Sequence, residues 1–245
     1  ENPAYLGTIE IEAAQIAKLA RAAGAETIVG VDPIILGVLM APGDSGADIV
    51  TGPVQPLGVH MNCGGGVGGF IASRDEERYV RSYNGFLVSI AETLEPGQYG
   101  FGLACSHQNS YGQREHGNDW TGNSTYLWAI AGAVYMSLLG PEGFRELGHL
   151  IVSRARYAAK LLADIAGIKI VWPGTTFKEF VVNFDGTGRS VADVNDNLRK
   201  HSIFGGKDIS RDGTGLGQSA LYCVTEIHTA ADIRRLAATL KEVLK

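Results

Sequence analysis

Between Lys18 and Lys160 the chain has no lysine at all. That long middle stretch therefore offers no primary amine to form an imine with a carbonyl group. Other shortages narrow the field further. No run of Lys and Arg exceeds two adjacent residues and the net charge is −5, so the basic stripe that nucleic acid requires is missing. Apolar stretches are broken by glycine or charge well before the ~18 residues a membrane span needs. The three cysteines, Cys63, Cys105 and Cys223, are odd in number and far apart. This argues against a disulfide frame or a zinc knuckle and for a reducing cytoplasm. No methionine begins the chain, and Glu1-Asn2-Pro3 runs straight into Tyr5-Leu6-Gly7. The start reads as the middle of a domain, with a fragment or a processed chain as the expectation.

What is abundant is glycine, 33 of 245 residues, about twice the usual ~7%. The apolar share of 45% with 19% charge is that of a globular chain able to bury one core or somewhat more. Residues 47–72 (ADIVTGPVQPLGVHMNCGGGVGGFIA) organise the rest. A β-prone run, Ile49-Val50, stops at Gly52-Pro53. A polar apex leads to Gly64, Gly65, Gly66, Gly68 and Gly69, and Phe70-Ile71-Ala72 forms an exit strand. So many glycines gain no side-chain contact from a helix or strand, so the loop lets backbone approach a ligand, another chain or a tight turn.

Helical spacing over residues 9–23 predicts a helix with Thr8 as N-cap and Gly24 as stop. Residues 27–31 (TIVGV) predict a buried strand that ends at Asp32-Pro33. A helix, a strand and then an acid is the pattern of an open parallel sheet, where ligands sit at strand C-termini. Residues 74–81 predict a charged surface helix. Residues 85–103 predict strand-like pieces around the turn Glu95-Pro96-Gly97, and residues 106–125 a long polar loop. Residues 126–139 (YLWAIAGAVYMSLL) are apolar nearly all round and predict a buried helix, with a subunit interface as one place for it. Pro141 opens a second helix near residues 142–165. A strand at residues 168–171, then a β-α-β-α unit, closes the chain. Its strands are FVVNF and ALYCV, and its helices are capped by Ser190 and Thr229.

Several segments together resemble glycine dehydrogenase (decarboxylating) subunit 1, the α subunit of the split P-protein of the glycine cleavage system. They are GVDPIILGVLMAPGDSGADIVTGPVQPLG, VYMSLLGPEGFRELG, KEFVVNF and TEIHTAADIRRLAATLKEVL. The match covers nearly all of this chain and the C-terminal part of that subunit; residues 135–148 are its most specific portion. HGNDWTGNSTYL, residues 116–127, departs from the commoner pattern. The resemblance implies an α/β, fold-type I pyridoxal phosphate transferase architecture with a mainly parallel sheet. It divides the chain into residues 1–150, a partial large domain, and residues 151–245, a linking helix with a small α/β domain. It further implies a heterotetramer with the β subunit (glycine dehydrogenase subunit 2), which holds pyridoxal phosphate through its lysine. The reaction implied is oxidative decarboxylation of glycine, with transfer of the aminomethyl group to the lipoyl arm of the H-protein. Two rivals stand beside it: an independent pyridoxal phosphate enzyme, such as an aminotransferase or lyase, and a scaffold with no enzymatic association.

In such enzymes the Schiff-base lysine would fall near Gln55, and an amide nitrogen cannot take its place. The expectation is that no cofactor is bound covalently in this chain and that the chain alone is inactive. Asp32 has two readings: an acid that pairs with the cofactor's ring nitrogen, or a side chain that accepts from the backbone of its own turn. His60 and Asn62 reach a phosphate or the partner's active site, or they satisfy the loop. Arg114, His116, Asp119 and Trp120 form an interface anchor or a solvated loop. Cys63 and Cys105 are nucleophile candidates only with a base beside them, and passive small residues otherwise. Lys207, in FGGKD, reads as a turn residue.

Overall fold

The computed structural model describes residues 1–59, 68–83, 87–104, 110–117, 125–174 and 176–245. Two compact units make up the chain: Glu1–Phe70 with Trp128–Lys245, and the inserted Ile71–Leu127.

In the larger unit, Ala13–Ala22 (α1) precedes Ile28–Gly30 (β1), which pairs in parallel with Ile49–Pro53 (β2). The register sets Ile28 against Ile49 and Gly30 against Thr51. Third in this sheet is Gly69–Ser73 (β3), where the chain leaves the unit. The first helix starts later than its apolar spacing predicts. Upstream, the Asn2 side chain donates to the Glu10 carbonyl and accepts from the Glu10 N–H, and Thr8 bridges to Thr176, so that stretch is not helical. Glu12, not Thr8, stands at the N-cap, and its side chain makes no cap bond.

The inserted unit carries the one-turn helix Glu77–Val80 (α2) and a hairpin of Leu87–Glu92 (β4) with Tyr99–Ala104 (β5). A short helix, Ser110–Gln113 (α3), follows and runs into a 3₁₀ turn over Arg114–His116.

Back in the larger unit, Tyr126–Ala163 (α4) is interrupted at Gly140, whose φ of 60° and ψ of −179° lie outside the helix. A residue with a Cβ is strained at such a φ, and Pro141 next to it has no N–H to offer the preceding turn. Lys169–Ile170 (β6), Glu179–Asn183 (β7), Lys207–Asp208 (β8) and Ser219–Cys223 (β9) then form a wholly antiparallel sheet ordered β6-β7-β9-β8. Val191–Lys200 (α5) and Ala230–Val243 (α6) carry the caps read from the sequence. The Ser190 side chain accepts from the Asp193 N–H, and Thr229 with Asp232 forms a capping box.

The main core lies on this second sheet. Ala155, Ala158 and Leu162 of α4 meet Phe180, Val182, Val194, Leu198 and Leu240 there. A smaller core joins Ile34, Ile35, Leu57, Ile151 and Phe177, with Tyr135 and Phe144 edge to face at 6.4 Å. The apolar start of α4 is not buried within the chain: Leu127, Ile130, Val134 and Leu138 are all exposed. Among the described residues no helix is long and apolar enough to cross a membrane.

Candidate functional site

Just past the end of β1, the Val31 N–H bonds the carbonyl of Thr51 in the parallel β2 at 2.8 Å. Asp32 follows. Its Oδ1 accepts from the Ile34 N–H at 2.9 Å and so caps the 3₁₀ turn Pro33–Gly37. Its Oδ2 accepts from the Lys178 ammonium. Both carboxylate oxygens are thus engaged, on a side chain only 8% exposed.

Lys178 arrives on the residue before β7, and Glu179 opens that strand with Oε1 3.8 Å from the Lys178 Nζ. The Cys223 thiol, on β9, donates to the same Oε1 at 3.6 Å. The N-terminal segment lies against this point. A Cβ on Gly7, at φ +91°, would sit 2.0 Å from the Glu179 carbonyl oxygen, so only glycine lets the two backbones approach so closely. Between the strand ends and these charges lies an open cleft of about 460 Å³, with Tyr5, Thr51, Gly52, Asp32, Lys178 and Glu179 on its walls.

The cleft's electrostatics set its chemistry. Burial pulls the Lys178 pKa down, but the charge and hydrogen bond of Asp32 and the charge of Glu179 outweigh it, and the net shift is upward. Burial raises the Glu179 carboxyl, with Lys178 opposing. Desolvation and the neighbouring Glu179 push the Cys223 thiol up to about 12. At neutral pH the amine is an ammonium and the thiol is protonated, so neither is a nucleophile.

Gln55 starts the 3₁₀ turn Gln55–Leu57 just past β2. Its Nε2 is buried and finds no hydrogen-bond partner among the described residues. Arg114 and His116 are exposed residues of the inserted unit, and Arg114 adopts a φ of 50°. His60, Asn62, Cys63, Cys105, Asp119 and Trp120 lie outside the described residues. Lys207 is a strand residue rather than a turn residue: it opens β8, which pairs with β9. Its Nζ bonds the Tyr5 hydroxyl at 2.6 Å and Asp212 at 3.1 Å. Sequence reasoning missed Lys178, Glu179 and Cys223 as neighbours of Asp32. Nothing local marks them, since Lys178 is 146 positions from Asp32. A second cavity of about 780 Å³ is lined mainly by apolar groups such as Leu57, Phe70, Trp128, Met136 and Phe144, and its charged lining residues, Glu142 and Arg145, pair with each other.

The residues at the strand ends do not fit pyridoxal phosphate. Gln55, shortly past the end of β2, carries an amide that forms no imine, and the buried acid after β1 is already neutralised from within the chain.

The comparisons agree on a family. A family model described as glycine cleavage system P-protein matches residues 1–240. "Probable glycine dehydrogenase (decarboxylating) subunit 1" of Staphylothermus marinus is 34% identical over 244 residues, which are 100% of this chain and 52% of that protein. The protein of the same name in Desulfitobacterium hafniense is 35% identical over 243 residues, 99% of this chain and 53% of its own length. The chain thus spans about half the length of the curated relatives it matches. Among solved structures, an inhibitor-bound glycine decarboxylase (P-protein) of the glycine cleavage system superposes with a TM-score of 0.86 at 33% identity. That match covers 99% of this chain and 53% of the other. A NifS-like protein from Rickettsia africae, 15% identical with a TM-score of 0.64, covers 97% of this chain and 58% of its own. It shares the fold alone, the α/β fold-type I architecture. On the match to residues 1–240 and the identity along its whole length, the chain belongs to the glycine cleavage system P-protein family.

Proposed function

We propose that this chain is part of the non-catalytic α subunit of a cytoplasmic, glycine-decarboxylating P-protein. In this reading it pairs with the β subunit, glycine dehydrogenase subunit 2. It shapes the approach of the lipoyl H-protein and completes the wall of an active site that the β subunit supplies. Glycine is the substrate of the complex. The electron-sink chemistry that decarboxylation needs comes from pyridoxal phosphate held by the β subunit. The observation that carries the reading is Gln55, an amide at the strand end where a lysine would be needed.

An independent pyridoxal phosphate enzyme would need a neutral amine in the cleft. Among the described residues that line it, Lys178 carries the one side-chain amine, and Asp32 and Glu179 hold it as an ammonium. Arg114 and His116, exposed on the inserted unit, are proposed as contacts to a partner, together with Asp119 and Trp120. His60 and Asn62 are proposed to face the partner's site.

The test is coexpression with a β subunit, followed by glycine–bicarbonate exchange measured with and without this chain. Exchange that depends on both polypeptides is the expected result. Exchange by this chain alone, or a β subunit fully active without it, overturns the reading.

A further inference from the structure

We infer that Lys178 is a tethered cation that occupies Asp32 in place of a ligand's protonated ring, and so closes the strand-end cleft to pyridoxal phosphate from within. This rests on the fold-type I reading of the cleft, and it adds the residue that does the excluding. Space is not what excludes a ring: the cleft holds about 460 Å³, and its walls include Thr51, Gly52 and Tyr5 as well as the charged groups. Charge is what excludes it. Asp32 is 8% exposed and Lys178 22%, and the carboxylate's two oxygens are spent on the Ile34 N–H and the Lys178 ammonium. A protonated pyridine can reach Asp32 only by displacing that ammonium. An intramolecular amine competes at an effective concentration in the millimolar range or above. The displaced ammonium would also be left near Glu179 alone, 3.8 Å away in the present arrangement. Gln55 adds no covalent capture to offset the competition.

The probe is 4-deoxypyridoxine 5′-phosphate. It has the ring and the phosphate but no aldehyde, so no lysine can form an imine with it. Binding to the full chain is measured by calorimetry, with inorganic phosphate as control. Wild type is expected to bind weakly if at all, and Lys178→Met to bind on the order of 100-fold tighter. The Asp32→Asn/Lys178→Met double variant is expected to lose that gain. Lys178→Gln keeps a hydrogen-bond donor at Asp32 without the charge; it is expected to bind between the two, and it serves as the test protein if Lys178→Met does not fold. A thermal melt establishes folding for each variant. The inference is overturned if wild type binds as tightly as the variants. It is overturned equally if a folded Lys178 variant gains nothing, or if the gain survives Asp32→Asn. Failure of the exchange assay with the β subunit would leave these outcomes unaffected, so the two readings fail separately.

Discussion

At the scale of single residues, the Asp32–Lys178 pair joins the end of β1 to the start of β7. Removing one partner of a largely buried pair leaves the other uncompensated. Because Lys178 is 22% exposed, water offsets part of the cost. Lys178→Ala is expected to destabilise the chain by about 2–3 kcal/mol in urea denaturation, below the full cost of a wholly buried pair. The sign of its pH dependence follows from the raised lysine pKa. A base whose pKa is higher in the folded chain contributes stability below its ordinary value of 10.5, and that contribution is lost as pH rises through the raised value. Wild type should therefore lose its advantage over Lys178→Met as denaturation is moved from pH 8 to alkaline values above the ordinary 10.5 and through the raised pKa. Glu179 runs the other way. Its carboxyl is raised by burial, so its ionised form is a cost above the ordinary value of 4.5. Glu179→Gln should be more stable than wild type at neutral pH, and the gain should vanish as pH falls below that value.

Elements show what the sequence makes legible. The caps at Ser190 and Thr229 could be read directly, because each signal lies within four residues of the backbone it satisfies. Thr229→Ala should cost about 1 kcal/mol, measured as a shift in the urea midpoint. The break at Gly140-Pro141 was legible for the same reason. The start of α1 was not, because Asn2 and Thr176 divert residues 8–10 into contacts from elsewhere in the chain. The orphaned Nε2 of Gln55 was not legible. The ion pair at Asp32 was invisible, since a strand-end acid carries no mark of a partner 146 positions away. In the antiparallel sheet, Phe180 is wholly buried in the main core, its ring stacked on Tyr222 of β9. Phe180→Ala should cost about 3–5 kcal/mol, checked by thermal and urea unfolding.

For the whole molecule, the apolar first half of α4 sets the expectation. Its composition announced a need for cover, and the chain leaves Leu127, Ile130, Val134 and Leu138 exposed. Hydropathy reports that a face needs cover without saying which surface supplies it. If that surface is another subunit, Ile130→Glu should change the stability of the isolated chain by no more than about 0.5 kcal/mol. It should also weaken copurification with the β subunit in a pull-down. Unchanged copurification would place the cover elsewhere.

The distance in sequence between Asp32 and its counter-ion has a consequence for synthesis. At about 5–20 residues per second, a ribosome that has released Asp32 needs roughly 7–30 s to reach Lys178, 146 positions later. Throughout that interval the nascent parallel sheet carries a carboxylate with no ammonium to meet it, and the charge is neutralised only when the last sheet begins to emerge.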